Sequence, residues 1–248
     1  MTQREGFTMV MFSRYAVLVS FIVAAACART ESGEPADSTI ASPQLTAVDS
    51  GAPRLLLRDE ANASFQEFRS KTLAALARKD TTYLYGMLAP EIRISFGPDE
   101  GIDGFRRMWK LDDPDTDVWK ALTRVLTMGG DQPTDSNFVA PYVYAFWPDS
   151  IDAFGYVAVT GDEIPVREAP DTSSRVLGVA SYSILKFKEW KGLPESGIEV
   201  DTTWAQVELP TGAAGWIRGA SVYSPVSWRA MFTRRGDRWV MVLFVAGD

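Results

Sequence analysis

The residues that most often carry out chemistry in proteins are unevenly represented in this chain. It has 32 acidic side chains and one cysteine but no histidine. Without histidine the chain lacks the commonest general base and metal ligand, so Ser-His-Asp and Cys-His sites are excluded. A pair of carboxylates that cleaves glycosidic bonds is not excluded, because its members need only meet in space. The sequence therefore assigns no catalytic residue, and it predicts neither a cofactor nor a metal ion.

The densest acidic run has the alternating carboxylates of a calcium loop, at Asp113, Asp115 and Asp117. A helix–loop–helix calcium site also needs a glycine at its sixth position and a glutamate at its twelfth. Those positions hold Val118 and Arg124. We therefore interpret the run as a turn that precedes a helix. Its carboxylates interact favourably with the positive N-terminal end of the helix dipole.

The one cysteine, Cys27, ends a stretch that has the features of an export signal. Arg4 and Arg14 precede an apolar run, residues 15–26, which is too short to span a bilayer as a helix. The final letters AAAC resemble the lipobox of bacterial lipoproteins, in which the cysteine is lipidated and becomes the new N-terminus. The resemblance predicts a lipoprotein signal peptide over residues 1–26 and lipidation of Cys27. The alternative is an ordinary signal peptide that is cleaved nearby and leaves a free thiol.

The charge and the composition of the chain limit the classes of molecule that it can bind. The net charge is −7 and the isoelectric point is about 4.8. An acidic chain without a basic face argues against a nucleic-acid partner. Residues 27–54 are rich in Ala, Ser, Thr, Pro and Asp and lack aromatic residues, which predicts a flexible tether between a lipid anchor in the membrane and a folded body.

Residues 55–150 carry the spacing of helices and two strands. We expect a capping box at Ser64 and helix caps at Asp80 and Asp117, with strands over 92–96 and 138–147. The order helix, short helix, strand, helix, around ALARKDTTYLYGMLAPEIRISFG, is similar to the opening of a nuclear-transport-factor-2-like domain. The resemblance implies an α+β domain with helices on a small antiparallel sheet.

A second pattern runs from Tyr156 to Tyr223, where short period-two strands alternate with Gly and Pro turns. The order of these pieces resembles the bacterial SH3-like (SH3b) domain, most closely at Ile164–Pro170 and Gly215–Ile217. The resemblance implies an all-β SH3-like barrel over residues 155–225. It implies a fold and no activity, because small barrels host many functions.

The resemblance also implies where a ligand groove of this barrel lies, between the loops 162–174 and 188–203. An aromatic floor with charged lips suits a peptide or a glycan. The residues that we place near the groove are Glu163, Arg167, Glu168, Trp190 and Trp204. The alternative is that Trp204 belongs to the core and that Arg167 is a structural strand residue. We expect Trp216 in the core, and we leave Trp190 open between a loop and the core.

The final residues, 226–248, predict a hairpin whose last strand is apolar on both faces. Such a strand must be covered on both sides, which a small barrel would not achieve. The helices before the barrel meanwhile have too few strands to cover. We therefore predict that the hairpin pairs with strands of residues 90–150, so that the barrel is an insertion.

Three functional hypotheses follow. The first is a non-catalytic, exported envelope lipoprotein whose SH3-like module binds cell-wall peptide or glycan, or an envelope protein. The second is a small-ligand or enzymatic pocket in the α+β domain, with the barrel as a targeting module. The third is a structural pair of domains without a ligand. The missing histidine and the absence of a catalytic motif disfavour an enzyme.

Overall fold

The computed structural model describes residues 45–98, 100–200 and 202–247. The predicted signal peptide, Cys27 and residues 28–44 of the predicted tether lie outside them. The described helices are α1 (Ala63–Ala77), α2 (Thr81–Met87), α3 (Gly101–Trp109), α4 (Val118–Thr127) and α5 (Tyr142–Ala145). The described strands are β1 (Leu88–Arg93), β2 (Asp131–Thr134), β3 (Asn137–Ala140), β4 (Tyr156–Val159), β5 (Ile164–Arg167), β6 (Val176–Ala180), β7 (Ile184–Lys191), β8 (Trp204–Glu208), β9 (Ala214–Arg218), β10 (Val222–Tyr223), β11 (Arg229–Arg235) and β12 (Arg238–Val245).

These strands form two sheets within one unit, Pro43–Asp248. The first sheet has the order β1-β12-β11-β3-β2 and is antiparallel except where β1 runs parallel to β12. The second sheet has the order β10-β4-β7-β8-β9-β5-β6 and is antiparallel throughout. The fold is thus mixed α+β with two mostly antiparallel sheets. The expectation of a purely antiparallel first sheet is wrong at β1.

The second sheet is open where the sequence predicts a barrel. Its edge strands, β10 and β6, are not paired with each other. The strands of residues 156–223 therefore give a contiguous antiparallel sheet without ring closure. Its core consists of aliphatic side chains such as Val166, Val207 and Ile217, each fully buried.

The final hairpin belongs to the first sheet. Strand β11 pairs with β3, with Phe232 opposite Phe138, and β12 pairs with β1, with Met241 opposite Leu88. The register confirms the predicted pairing of the last residues with strands of the N-terminal half. Two central strands of this sheet therefore come from the end of the chain.

The first sheet is covered by α1 on a layer of aromatic rings. The ring of Phe65 on α1 stacks on Phe138 at a centroid distance of 3.8 Å and meets Trp239 edge-on at 5.0 Å. Phe232 lies 5.3 Å from the same ring. Rings bury a large apolar area and pair with defined geometry, so they fix the helix on the sheet.

The helix caps follow the sequence in part. The Asn62 side chain caps α1 by accepting the Phe65 N–H at 2.9 Å. The predicted capping box at Ser64 is wrong, because its hydroxyl lies within the helix and accepts the Trp239 indole N–H at 3.0 Å. The cap that was predicted at Asp80 is confirmed by its bond to Tyr83 N at 2.9 Å. Asp117 precedes α4 but makes no capping bond.

Residues 45–54, the end of the predicted tether, lie against the second sheet. Val48 N donates to Val179 O at 2.9 Å, which extends the β6 edge. Asp49 is buried and accepts from Ser181 N at 2.9 Å. The expectation of a flexible tether up to residue 54 is therefore wrong for these residues, since the sheet edge supplies backbone partners that composition does not reveal.

The segment after β3 also differs from its predicted strand over 138–147. The strand ends at Ala140, the Ala140–Pro141 peptide bond is cis, and the short helix α5 follows. Residues 141–155 and 224–228 are the two places where the chain passes between the sheets.

Helix α4 ties the two sheets together through a partly buried arginine. The Arg124 guanidinium donates to Gly219 O at 2.9 Å and to Val222 O at 2.7 Å. Its Nε lies 3.6 Å from a carboxylate oxygen of Glu199, whose side chain is 2% exposed. The Ser227 hydroxyl donates to the same carboxylate. A charge pair in this position links α4, the β7–β8 connection and the segment before β11.

Candidate binding site

The structure separates the residues of the predicted SH3-like groove. Opposite residues of antiparallel strands share a face, and neighbours along a strand alternate. Arg167 lies opposite Trp216, Trp216 opposite Gln206, and Trp204 two residues from Gln206, so all four share the outer face. Trp190 lies opposite Ala205 and hence on the core face. The sheet therefore separates Trp190 from Arg167 and Trp204.

The structure decides between the two alternatives for Trp190 and corrects the expectation for Trp216. Trp190 lies in strand β7 rather than a loop, and its ring packs 5.2 Å from Phe187 against the core of the second sheet. Trp216, expected in the core, is half-buried on the outer face, while its neighbour Ile217 is fully buried. The one-residue alternation of a strand decides which of the two enters the core.

The two acidic lips of the predicted groove stand at opposite ends of β5. Glu163 precedes this strand at a φ of +48°, and Glu168 follows it. Glu168 binds Arg175 at 3.0 Å, and this arginine lowers the pKa of Glu168. Arg167 donates to Ser174 O at 2.7 Å and so holds the β5–β6 turn. Each side chain has a local role, and no common pocket of these residues is formed.

A different cavity gathers aromatic side chains where the chain passes between the sheets. We call it the aromatic cleft; its volume is about 580 Å³. Its rings are Phe96, Tyr144, Trp147 and Phe154. Phe96 and Phe154 are 49% and 59% exposed, which is unusual for large apolar side chains with a core nearby.

Two hydrogen bonds hold the loop of residues 147–154, which carries two of the rings. The Trp147 indole N–H donates to Ile151 O at 2.9 Å, which fixes the ring in its loop. Phe154 N donates to Asp152 Oδ1 at 3.0 Å in the next turn. The rings therefore stand on a preformed frame, as in most small-ligand sites.

A buried arginine forms the back of the cleft. The guanidinium of Arg229 lies 5.2 Å from the ring centroid of Phe96 and 5.0 Å from that of Tyr144. It donates to Gly247 O at 2.7 Å and to Val226 O at 3.3 Å. Because its hydrogen bonds go to backbone carbonyls, the arginine positions the two rings and the chain end.

Two carboxylates, Asp131 and Asp149, complete the lining. Burial raises the pKa of Asp131, nearby Glu60 raises it further, and Arg58 opposes the shift. Among the described residues, Asp149 forms neither a hydrogen bond nor an ion pair. The cleft therefore combines ring faces with acidic acceptors.

The chemistry of this lining suits binding. Within residues 45–98, 100–200 and 202–247, no group of three or more acidic or cysteine side chains is placed to hold a metal ion. The acidic run at Asp113, Asp115 and Asp117 directly precedes α4 and does not line the cleft. The cleft has rings and carboxylates but lacks the imidazole or thiol of a nucleophilic site.

Comparison with family models, with curated proteins and with solved structures gives no match. None of the described helices has the length and apolar character needed to cross a membrane. Sequence reasoning missed the cleft, although the run FVAPYVYAFW held a signal. Its rings at Tyr144 and Trp147 flank turn residues, and Pro141 interrupts the strand pattern that would have buried them.

Proposed function

We propose that the chain is an exported, lipid-anchored protein of the bacterial cell envelope that binds cell-wall peptide or glycan without converting it. The aromatic cleft is its ligand site. The observation that supports this proposal is the set of four rings around a volume of about 580 Å³, two of them strongly exposed. Exposed rings stack on sugar faces and on peptide side chains, and the cleft lies where strands β2, β3 and β11 meet the two connections between the sheets.

In this proposal residues 155–225 are an SH3-like module. The contiguous antiparallel strands, the Gly and Pro turns and the aliphatic core support this assignment. Its groove residues are dispersed, so we assign the module to a supporting role beside the cleft. An envelope protein that docks on its outer Arg167–Trp216 face is the second partner class.

Cell-wall binding tests the site directly. Purified cell wall is incubated with the soluble body of the wild type and of Phe154→Ala, and the bound fraction is measured after sedimentation. We expect the dissociation constant to rise about five- to tenfold, as for the loss of a stacking ring. The exposed position leaves little cavity, so folding should be unaffected. The matched control is Trp216→Ala, which removes a half-buried ring outside the cleft. Equal loss in both variants would contradict the assignment.

Anchoring is tested separately with Cys27→Ser. Firm membrane attachment needs two or more acyl chains, which a lipidated N-terminal cysteine supplies. We expect the variant to move from the membrane fraction to the soluble fraction. If it sediments with membranes to the same extent as the wild type, the lipid anchor is wrong.

A second candidate is an enzymatic pocket in the α+β half, with the SH3-like module for targeting. The observation that favours it is that burial, and next the neighbouring carboxylate of Glu60, raise the pKa of Asp131. Incubation with cell wall followed by mass spectrometry of the released fragments tests it. Release that Asp131→Asn abolishes would support catalysis, and no release would support binding alone.

A further inference from the structure

The charge of the aromatic cleft defines its ligand more closely than its shape does. One cation, Arg229, lies in the lining, and its hydrogen bonds go to the carbonyls of Val226, Ser227 and Gly247. Two carboxylates, Asp131 and Asp149, line the same cavity. Asp131 has Glu60 and Arg58 beside it, both outside the lining, whereas no partner is seen for Asp149 among the described residues. The lining therefore carries two carboxylates and one cation that is bonded to backbone carbonyls.

The rings of the cleft also differ in whether a cation lies beside them. Arg229 lies against Phe96 and Tyr144. Within the described part of the chain, no cation lies over Trp147 or Phe154. Tryptophan is the strongest partner in cation–π contacts, and its attraction grows when water is excluded. The partly buried ring of Trp147 lines the cavity two residues from Asp149, so a ring and a carboxylate can meet the same group.

The geometry points to a ligand that carries a positively charged ammonium group on a sugar or peptide frame. The ammonium group would lie between Asp149, Asp131 and the face of Trp147, and the frame would stack on Phe154. An ammonium group satisfies both carboxylates by charge-assisted hydrogen bonds. This inference rests on the proposed function, because it specifies which part of the cell-wall polymer the cleft recognises.

Two sources carry this group, an unacetylated amino sugar and the free amine of a diamino-acid side chain. The first arm of the test compares a chitosan tetrasaccharide, which has free amines, with its fully N-acetylated form by calorimetry. The second arm compares a tetrapeptide containing lysine with the same peptide acetylated at Nζ. We expect the amine form to bind about tenfold more tightly in the arm that matches the source.

The carboxylates are tested with Asp149→Asn and Asp131→Asn. Each should reduce the preference for the amine about threefold or more, and the double variant should remove it. Asp135→Asn is the matched control, because it removes the same charge from an exposed turn outside the cleft. Thermal unfolding of each variant reports whether the fold is intact.

The outcomes separate this inference from the proposed function. Equal affinity for amine and acetylated forms in both arms overturns the ammonium site. An amine preference that Asp135→Asn reduces as much as Asp149→Asn overturns it as well, because the effect then reflects the net charge of −7. If the wild type does not bind whole cell wall, the proposed function is contradicted instead.

Discussion

Each of the two sheets has a buried core, but the cores differ in their side chains and the sheets differ in the chain segments that form them. The first sheet combines residues 63–140 with 229–245, and its core includes eight aromatic side chains among aliphatic ones. The second is built from residues 156–223 alone and packs mainly Val, Leu, Ile and Ala. Helices on a sheet leave a wide layer that rings fill, whereas a small coiled sheet leaves room for branched aliphatic side chains. Phe96 and Phe154 belong to neither core and are exposed, which is why we propose them as ligand contacts.

The largest expected effect is the removal of the final hairpin, residues 226–247. The first sheet would lose β12 and β11, which separate β1 from β3, and we expect its region to unfold. An isolated fragment of residues 155–225 should keep its antiparallel sheet, since its strands are contiguous. Amide dispersion in NMR spectra of the truncated protein and of the fragment measures this. A truncated protein that keeps a folded first sheet, or an unfolded fragment, would contradict the comparison.

Single core truncations should reproduce the difference on a smaller scale. Phe232 is fully buried in the ring layer, and Phe232→Ala should lower the free energy of unfolding by about 3–5 kcal/mol. Val207 is fully buried in the second sheet, and Val207→Ala should cost about 2 kcal/mol. Urea titrations of both variants give these values. Equal losses in the free energy of unfolding would show that the aromatic rings do not contribute more to the core of the first sheet than aliphatic side chains do to the second.

Two of the three tryptophans in the second sheet, Trp190 and Trp216, test the assignment of its faces. Trp190 packs on the core face, so Trp190→Ala should cost about 2 kcal/mol. Trp216 is half-buried on the outer face, and Trp216→Ala should cost about 1 kcal/mol. The same denaturant titrations measure both variants. A larger cost at Trp216 would reverse the faces that the strand register gives.

The smallest expected effect concerns the link between the regions. Burial raises the pKa of Glu199 above its usual 4.5, against the opposing effects of Arg124 and of the Ser227 hydroxyl. The folded protein thus holds this proton more tightly than the unfolded chain. The resulting stability is full below about pH 4.5 and is lost as the pH rises through the folded pKa.

Chemical denaturation of the wild type and of Glu199→Gln across this range checks the link. The stability of the wild type, relative to the variant, should fall as the pH rises toward neutrality. Glu195→Gln is the control, because Glu195 is exposed in the same connection. If the difference in the free energy of unfolding between wild type and Glu199→Gln is the same at every pH, the titration of Glu199 does not contribute to stability.

The sequence predicted those parts of the fold that depend on local pattern. The apolar alternation of β11 and β12 indicated a strand pair covered on both faces, and the cap at Asp80 follows from its spacing. Features that depend on a contact with a distant residue could not be predicted from local pattern. Asn62 and Ser64 are both good cap residues, and only the Trp239 indole shows why Ser64 lies inside the helix.

The candidate site was beyond local pattern for a physical reason. Phe96, Tyr144, Phe154 and Arg229 are far apart in the chain and meet only because it passes twice between the sheets. The predicted groove failed for the opposite reason. Its residues are close in sequence, but strand alternation sends Trp190 and Trp204 to different faces.

The most direct test of the cleft is NMR of the indole N–H groups. The chain has eight tryptophans, so the spectrum is small and each signal can be assigned by substitution with phenylalanine. Labelled protein is titrated with solubilised cell-wall fragments. Our account predicts that the Trp147 signal shifts with saturation while the Trp216 signal stays in place. A shift of Trp216 with an unchanged Trp147 would contradict it and would place the ligand on the outer face of the second sheet.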